Sequence, residues 1–340
     1  MSDQIRGKNI RRILLFLLLV GFTILVTSRF TSAANLLKTL TRGQWQWIAA
    51  GVATHIIYFA AYAFLYQFGF SVVGVQSKAI ELLPVVFTSI LVNAVAPSGG
   101  AGGAALFVDH AVHRGQNGAR AAVGVVLVLI VDLGTLLPFI LIGALFLYGK
   151  RDLQIYDIIG GVFFVSYIGI LSSALVLARW SPATLRSIFD WLQALIRRIG
   201  SWFNHPHLVK DNWARNNAND FADGANAIAE NPRKLGWTLL WGGILHVINL
   251  AGLYMFFQAF QQPVRLGTLI AGFGIGIIFF VITVIPQGVG AVEGVMSLVF
   301  TSLGISKTNA VVIALSFRGV NFWIPLLIGL IFLRRVTSRL

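Results

Sequence analysis

Residues 284–300, VIPQGVGAVEGVMSLVF, place a carboxylate, a carboxamide, a proline and three glycines inside an otherwise apolar run. An ionisable side chain in hydrocarbon costs about 2.5 to 3.5 kcal/mol on insertion scales, and interrupted backbone survives at membrane depth only where protein or a water-lined cavity surrounds it. Glu293 therefore needs a function or a partner. Pro286, Gly288 and Gly290 interrupt the helix, and glycines leave backbone amides at the start of a half-helix open to an anion such as a lipid phosphate. Gln287 adds a polar group, and Glu293 is suited to contact an amine or carry a proton. Close packing through small residues would account for the glycines, but it requires neither Gln287 nor Glu293.

A partner motif, VAPSGGAGGAALF, occupies residues 95–107 and has no acid before Asp109. Its Pro97, Ser98 and Gly99 form a second candidate binding segment. Three more polar residues lie within apolar runs: Asp132, His246 and Arg318. A buried ion pair costs much less than either charge alone, so Asp132 and Arg318 are expected to pair if the two halves are related by symmetry. Alternatively Arg318 pairs with Glu293, leaving Asp132 to His246, and the sequence leaves both arrangements open.

Membrane helices must hold these residues. With 57% apolar and 11% charged residues in 340, and a mean hydropathy of +0.80, the chain is expected to be an all-α polytopic membrane protein. Full spans are expected at residues 13–26, 45–68, 121–148, 158–178, 235–260 and 309–333. The first follows Arg6, Lys8, Arg11 and Arg12 and reads as an uncleaved signal anchor. His55, within the second, reads as a packing residue. Beyond the break at Pro97, residues 99–108 make a helix rising only about half of a hydrocarbon core of roughly 30 Å. Residues 80–108, and by analogy 266–303, are therefore expected to be re-entrant hairpins. The expected plan is about six full spans plus two oppositely oriented re-entrant hairpins in an inverted repeat.

Three regions follow. Residues 1–178 form a first transmembrane half with its re-entrant motif at 95–107, and residues 235–340 a second half with its motif at 284–303. Residues 179–234 form a cytoplasmic loop with Leu185, Ile188, Phe189, Leu192, Leu195 and Ile196 on one helical face and Arg186, Asp190, Gln193 and Arg197 on the other. That pattern describes a helix in the headgroup plane. No cysteine is present, which excludes disulfides and thiol chemistry. His205 and His207 lack a third ligand nearby, so neither metal nor cofactor is expected. The net charge of +14 sits at the ends of apolar segments and fits anionic lipid headgroups rather than nucleic acid.

The positive-inside rule places both termini and the 179–234 loop in the cytoplasm. Parity of crossings then makes the first hairpin enter from the cytoplasmic side and the second from the opposite side. The spans after each motif also correspond: Asp132 lies eleven residues before Gly143, and Arg318 eleven before Gly329. Inverted repeats with broken helices near the midplane are the sequence sign of alternating-access transporters.

Pro286, Gly288, Gly290 and Glu293 in PQGVGAVEG, then Arg318 with the aromatic-proline stretch after it, and more weakly Asn93 and Pro97, resemble the flippase-like transmembrane domain of lysylphosphatidylglycerol synthases. The resemblance covers most of the chain. The family usually has a glycine-glutamate pair after the first proline, where this chain reads PSGGAGGAA. The resemblance implies a lipid-translocating membrane protein; its best-known members move aminoacylated phosphatidylglycerol to the outer leaflet and carry a cytosolic transferase domain. This chain ends about seven residues after its last span, so a stand-alone member without that domain is expected.

The expected function is movement of a polar phospholipid, aminoacylated or other, between leaflets, not enzymatic catalysis. Expected partners are membrane lipids, chiefly anionic phospholipid, with a further copy of the chain or a separate lipid-modifying enzyme compatible with this reading. The expected location is the plasma (inner) membrane of a prokaryote. Two rivals are a non-transporting scaffold acting through the 179–234 loop, and an intramembrane enzyme using Ser98 with a histidine, for which no spacing supports a base within reach.

Overall fold

The computed structural model describes residues 41–95, 101–202, 212–283 and 286–337. The expected first span at 13–26, His205, His207, and the Pro97, Ser98 and Gly99 candidates lie outside them. All regular elements among the described residues are helical. Among the described residues five helical segments are long and apolar enough to cross a membrane: α1 (Trp45–Val72), α4 (Gly118–Gly149), α5 (Ile155–Trp180), α8 (Pro232–Ala259) and the composite Lys307–Leu333. The last comprises α11 (Lys307–Arg318), a π turn at Gly319–Trp323 and α12 (Ile324–Thr337). Pro325 explains the turn. It has no N–H for the carbonyl of Asn321, and its ring crowds that carbonyl, so the helix widens immediately after Arg318.

Shorter helices form the two hairpins. α2 (Ala79–Val95) and α3 (Ala101–His113) are antiparallel. Glu81 at the start of one pairs with Arg114 just past the end of the other at 2.6 Å, while near the tip Asn93 Oδ1 accepts the Gly103 N–H at 2.7 Å. α9 (Leu266–Ile282) and α10 (Ala291–Ser302) are joined through a 3-10 turn at Pro286–Gly288. Gly272 lies under Phe300, and Gly276 under Met296, so this pair also doubles back.

The hairpins open on opposite faces of the bundle. α2 begins where α1 ends, the Ala79 N–H donating to Gln67 Oε1 at 2.6 Å, and Lys234 at the start of α8 bonds Ser71 O on the same face at 3.1 Å. On the other face the Gln44 N–H donates to Ala259 O at 2.9 Å, and Ser302 at the end of α10 donates to Asp152, just past α4, at 2.5 Å. Each hairpin organises its own core. One core joins α1, α2, α3 and the first half of α4, and the other joins α9, α10, α11 and the second half of α4. The 3-10 turn and Val289 reach α2 near Leu91 and Ala94, so the turn of the second hairpin meets the end of α2 between the two cores.

Reciprocal packing relates the halves. Gly143 of α4 lies on the first arm of the second hairpin, where a Cβ would stand 3.0 Å from Ala271 Cα. Its counterpart, Gly329 of α12, lies on the first arm of the first hairpin, where a Cβ would run into the Phe87 carbonyl. Without a hydrophobic force between helices in lipid, such backbone approaches are how membrane helices associate.

The 179–234 region departs from a single surface helix. α6 (Pro182–Trp202) matches the expected amphipathic helix, but a second helix, α7 (Trp213–Glu230), lies between it and the bundle. α7 docks on the N-terminal end of α4: Gly224 faces Val123, and Asn117 Nδ2 donates to Asp220 Oδ2 at 2.8 Å. Leu185 and Phe189 of α6 pack on Ala218 and Phe221 of α7, so part of the face expected to meet lipid is covered by protein. Among the described spans α5 is the least buried, with Ile159, Val162, Phe163 and Ile170 exposed.

Candidate functional site

Between the two cores lies a cavity of about 220 Å³. Most of its wall is apolar, from residues such as Phe59, Leu136, Phe273 and Met296, but polar groups from both halves converge on it. α4 supplies Asp132, α8 His246 and Asn249, α11 Arg318, the π turn Asn321, α2 Asn93, and the second hairpin tip Gln287. A largely apolar pocket with a few convergent polar groups is the usual form of a ligand site.

The two buried charges pair locally. Arg318 Nε donates to Glu293 Oε1 at 3.1 Å, and Nη2 donates to the main-chain oxygen of Gln287 at 2.8 Å. The guanidinium carbon stands 4.6 Å from the centre of the Phe322 ring, a cation–π contact that strengthens where water is excluded. Its Nη1 has no hydrogen-bond partner among the described residues and belongs to a side chain lining the cavity. Asp132 instead meets His246, whose Nε2 is 3.3 Å from Asp132 Oδ1 and 2.8 Å from its main-chain oxygen. The hydroxyl of Tyr62 donates to Asp132 Oδ2 at 3.3 Å. The expected direct Asp132–Arg318 pair is thus replaced by the alternative arrangement, because Glu293 is already fixed beside Arg318 by the chain break.

Glu293 does not line the cavity; it is buried behind Arg318. Its second oxygen accepts the Gly290 N–H at 2.7 Å. The expectation that this glycine's amide is open to a lipid phosphate is therefore corrected: the Glu293 carboxylate already occupies the N-terminus of α10, where a helix favours negative charge. The turn needs left-handed backbone at three positions, Gln287 (φ 55°), Gly288 (φ 62°) and Gly290 (φ 83°). Gly288 packs against Val292 and Thr283, so its role is the turn, with Pro286 opening the 3-10 segment. In the first hairpin Asn93 binds an amide near the start of α3, a neutral counterpart of Glu293.

Of the candidates, Asp132, His246, Arg318 and Gln287 meet at one cavity, while Glu293, Gly288 and Gly290 build the turn behind it. Sequence reading missed Tyr58, Tyr62 and Asn321. The tyrosines had a signal: Tyr58, Tyr62 and Tyr66 recur every fourth residue and so share one face of α1. Asn321 had only its nearness to Arg318. His55 is buried against Tyr58, Phe256 and Phe317, in keeping with a packing residue. Among the described residues no group of three or more His, Asp or Glu side chains could hold a metal.

Residues 10–329 match the family described as the lysylphosphatidylglycerol synthase TM region, and the chain belongs to that family. It is also 22% identical over 318 residues to a UPF0104 membrane protein of Pyrococcus horikoshii, covering 92% of this chain and 94% of that one.

Proposed function

We propose that this membrane protein of the lysylphosphatidylglycerol synthase TM-region family moves a phosphate-bearing lipid between leaflets, holding its headgroup in the central cavity. The observation that carries the reading is the convergence of Arg318, Asp132, His246 and Asn249 on one cavity that Asn93 of the first hairpin and Gln287 of the second also line. Arg318 is the anion-binding group. Glu293 and the Gln287 carbonyl hold it from one side, and its remaining N–H donors are available to a phosphate, whose oxygens suit a planar guanidinium. Asn249, Asn321 and Asn93 offer neutral polar contacts to the glycerol or headgroup hydroxyls. Two cores meeting across the cavity favour alternating exposure to each leaflet, one half rocking against the other.

Proteoliposomes carrying fluorescent phosphatidylglycerol, with dithionite used to bleach the outer leaflet, test this reading. Wild-type protein is expected to raise the accessible fraction above that of empty vesicles. Arg318→Ala should lower the rate by roughly tenfold or more, the scale of losing hydrogen bonds to a charged group, while the protein still inserts. Arg318→Ala moving lipid at the wild-type rate would overturn the assignment of the headgroup site.

A further inference from the structure

Among the described residues two buried acid–base pairs stand at or behind the cavity, and they differ in how their atoms are engaged. Both oxygens of Glu293 are engaged: one takes Arg318 Nε and the other the Gly290 N–H. An arginine partner stays protonated under any working condition. Asp132 and His246 are not closed in this way. His246 Nε2 faces two acceptors, the main-chain oxygen and Oδ1 of Asp132, so it must carry the ring hydrogen. Nδ1 of the neutral ring is then a bare lone pair, and it is buried without a hydrogen bond among the described residues. A proton added there makes an imidazolium beside a carboxylate. Both members line the cavity, and Asp132 is the more open of the two, its side chain 17% exposed against 4% for His246.

The surroundings leave this pair as the exchangeable one. α1 presents Tyr58, Tyr62 and Tyr66 toward Asp132, together with His55, whose Nδ1 is 2.8 Å from Gly51 O. α11 presents Arg318 across the cavity, with Glu293 of α10 behind it. α9 carries no titratable side chain. Tyr156, Asp157 and Tyr167 of α5 do not line the cavity; nor do Asp109, His110 and His113 of α3. α7 meets α4 through Asp220 and Asp223, which contact Asn117 and Arg120 at its far end. The Glu293–Arg318 pair sums to no net charge. With a bare carboxylate at Asp132 the cavity is net negative and repels a phosphate; with one more proton on the pair it is neutral.

Resting on the headgroup reading above, we propose that Asp132 and His246 take up a proton from water as an anionic headgroup enters the cavity, so that lipid and proton move together. The proton is held by the pair as a unit and returns to water when the headgroup leaves.

Isothermal titration of the detergent-purified protein with dihexanoyl phosphatidylglycerol, in neutral buffers of differing ionisation enthalpy, counts the protons. Wild-type protein is expected to take up as much as about one proton per lipid bound. Asp132→Asn and His246→Gln should lose that uptake. Wild-type binding with no uptake overturns the coupling and leaves the headgroup reading standing. Uptake that persists in both variants overturns the assignment to this pair. Failure of wild-type protein to bind the lipid overturns the headgroup reading itself, and the coupling with it.

Discussion

Glu293 and Arg318 stand 3.1 Å apart, Oε1 to Nε, on neighbouring helices of the second half, and the same carboxylate holds the Gly290 N–H at 2.7 Å. One side chain thus closes the chain break and sets the position of the cation at the cavity. The guanidinium returns the link by donating to the Gln287 carbonyl within the turn. Break, acid and cation form one unit, and a movement of the hairpin tip displaces Arg318 with it.

Neutralising the acid should therefore be costly to the fold. Removing one partner from a buried pair typically costs about 3 to 5 kcal/mol, because the other charge is left without compensation. Glu293→Gln keeps one acceptor oxygen, so the lower end, about 3 kcal/mol, is expected. Replacing Arg318 by Gln in the same protein should restore part of the loss while abolishing lipid movement. Heating the detergent-solubilised protein and following its monodisperse fraction measures this. A Glu293→Gln protein as heat-resistant as wild type would sink the linked-unit account.

Gln287 adopts left-handed backbone, φ 55° and ψ 16°, which costs a residue with a side chain about 1 to 2 kcal/mol. Its bond to Arg318 uses the main-chain oxygen, which every residue retains. Gln287→Gly should then match or exceed the wild type in thermal stability, whereas the β-branched Gln287→Val should fall below it. The same melting measurement decides, and a glycine variant much less stable than wild type would show that the side chain itself holds the turn.

Much of the fold was legible because the hydrophobic runs and their breaks follow directly from the membrane's demand that backbone groups be satisfied. The proline-glycine break and the buried acid at Glu293 marked the second hairpin, and Asp132 and Arg318 stood out as charges in apolar helices. The pairing of those charges was not legible, since it depends on which side chains a turn brings within bonding distance. Nor was α7, whose buried face is built of Ala214, Ala218 and Ala225, small residues that give little hydrophobic contrast against the asparagines around them. Tyr62 could not be linked to Asp132 before the helices were placed side by side.

The reciprocal glycine contacts predict unequal responses to the same change. Alanine within a helix normally gains about 1 kcal/mol over glycine. At Gly134 nothing lies within 4 Å of an added Cβ, so Gly134→Ala should be neutral or stabilising. At Gly329 the obstacle is the Phe87 carbonyl, and at Gly143 it is the Ala271 backbone at 3.0 Å and the carbonyl oxygen of Ile270 at 3.2 Å. Neither obstacle can move as a flexible side chain would. Gly143→Ala and Gly329→Ala should each lower the melting temperature, with Gly329→Ala the more severe. Equal behaviour of all three alanine variants would remove the claim that these contacts hold the halves together.

The opposed hairpins make a prediction about sidedness. Because the chain contains no cysteine, a single introduced thiol reports its own location. Lys78 precedes the first hairpin and Lys307 follows the second, and both are exposed. If the loop face is cytoplasmic, as its basic residues favour, a membrane-impermeant maleimide added to spheroplasts should label Lys307→Cys and should reach Lys78→Cys only after lysis. Labelling of both from one side would contradict the opposed arrangement, since each thiol sits at the open end of its hairpin. The reverse pattern would keep the arrangement and invert its orientation in the membrane.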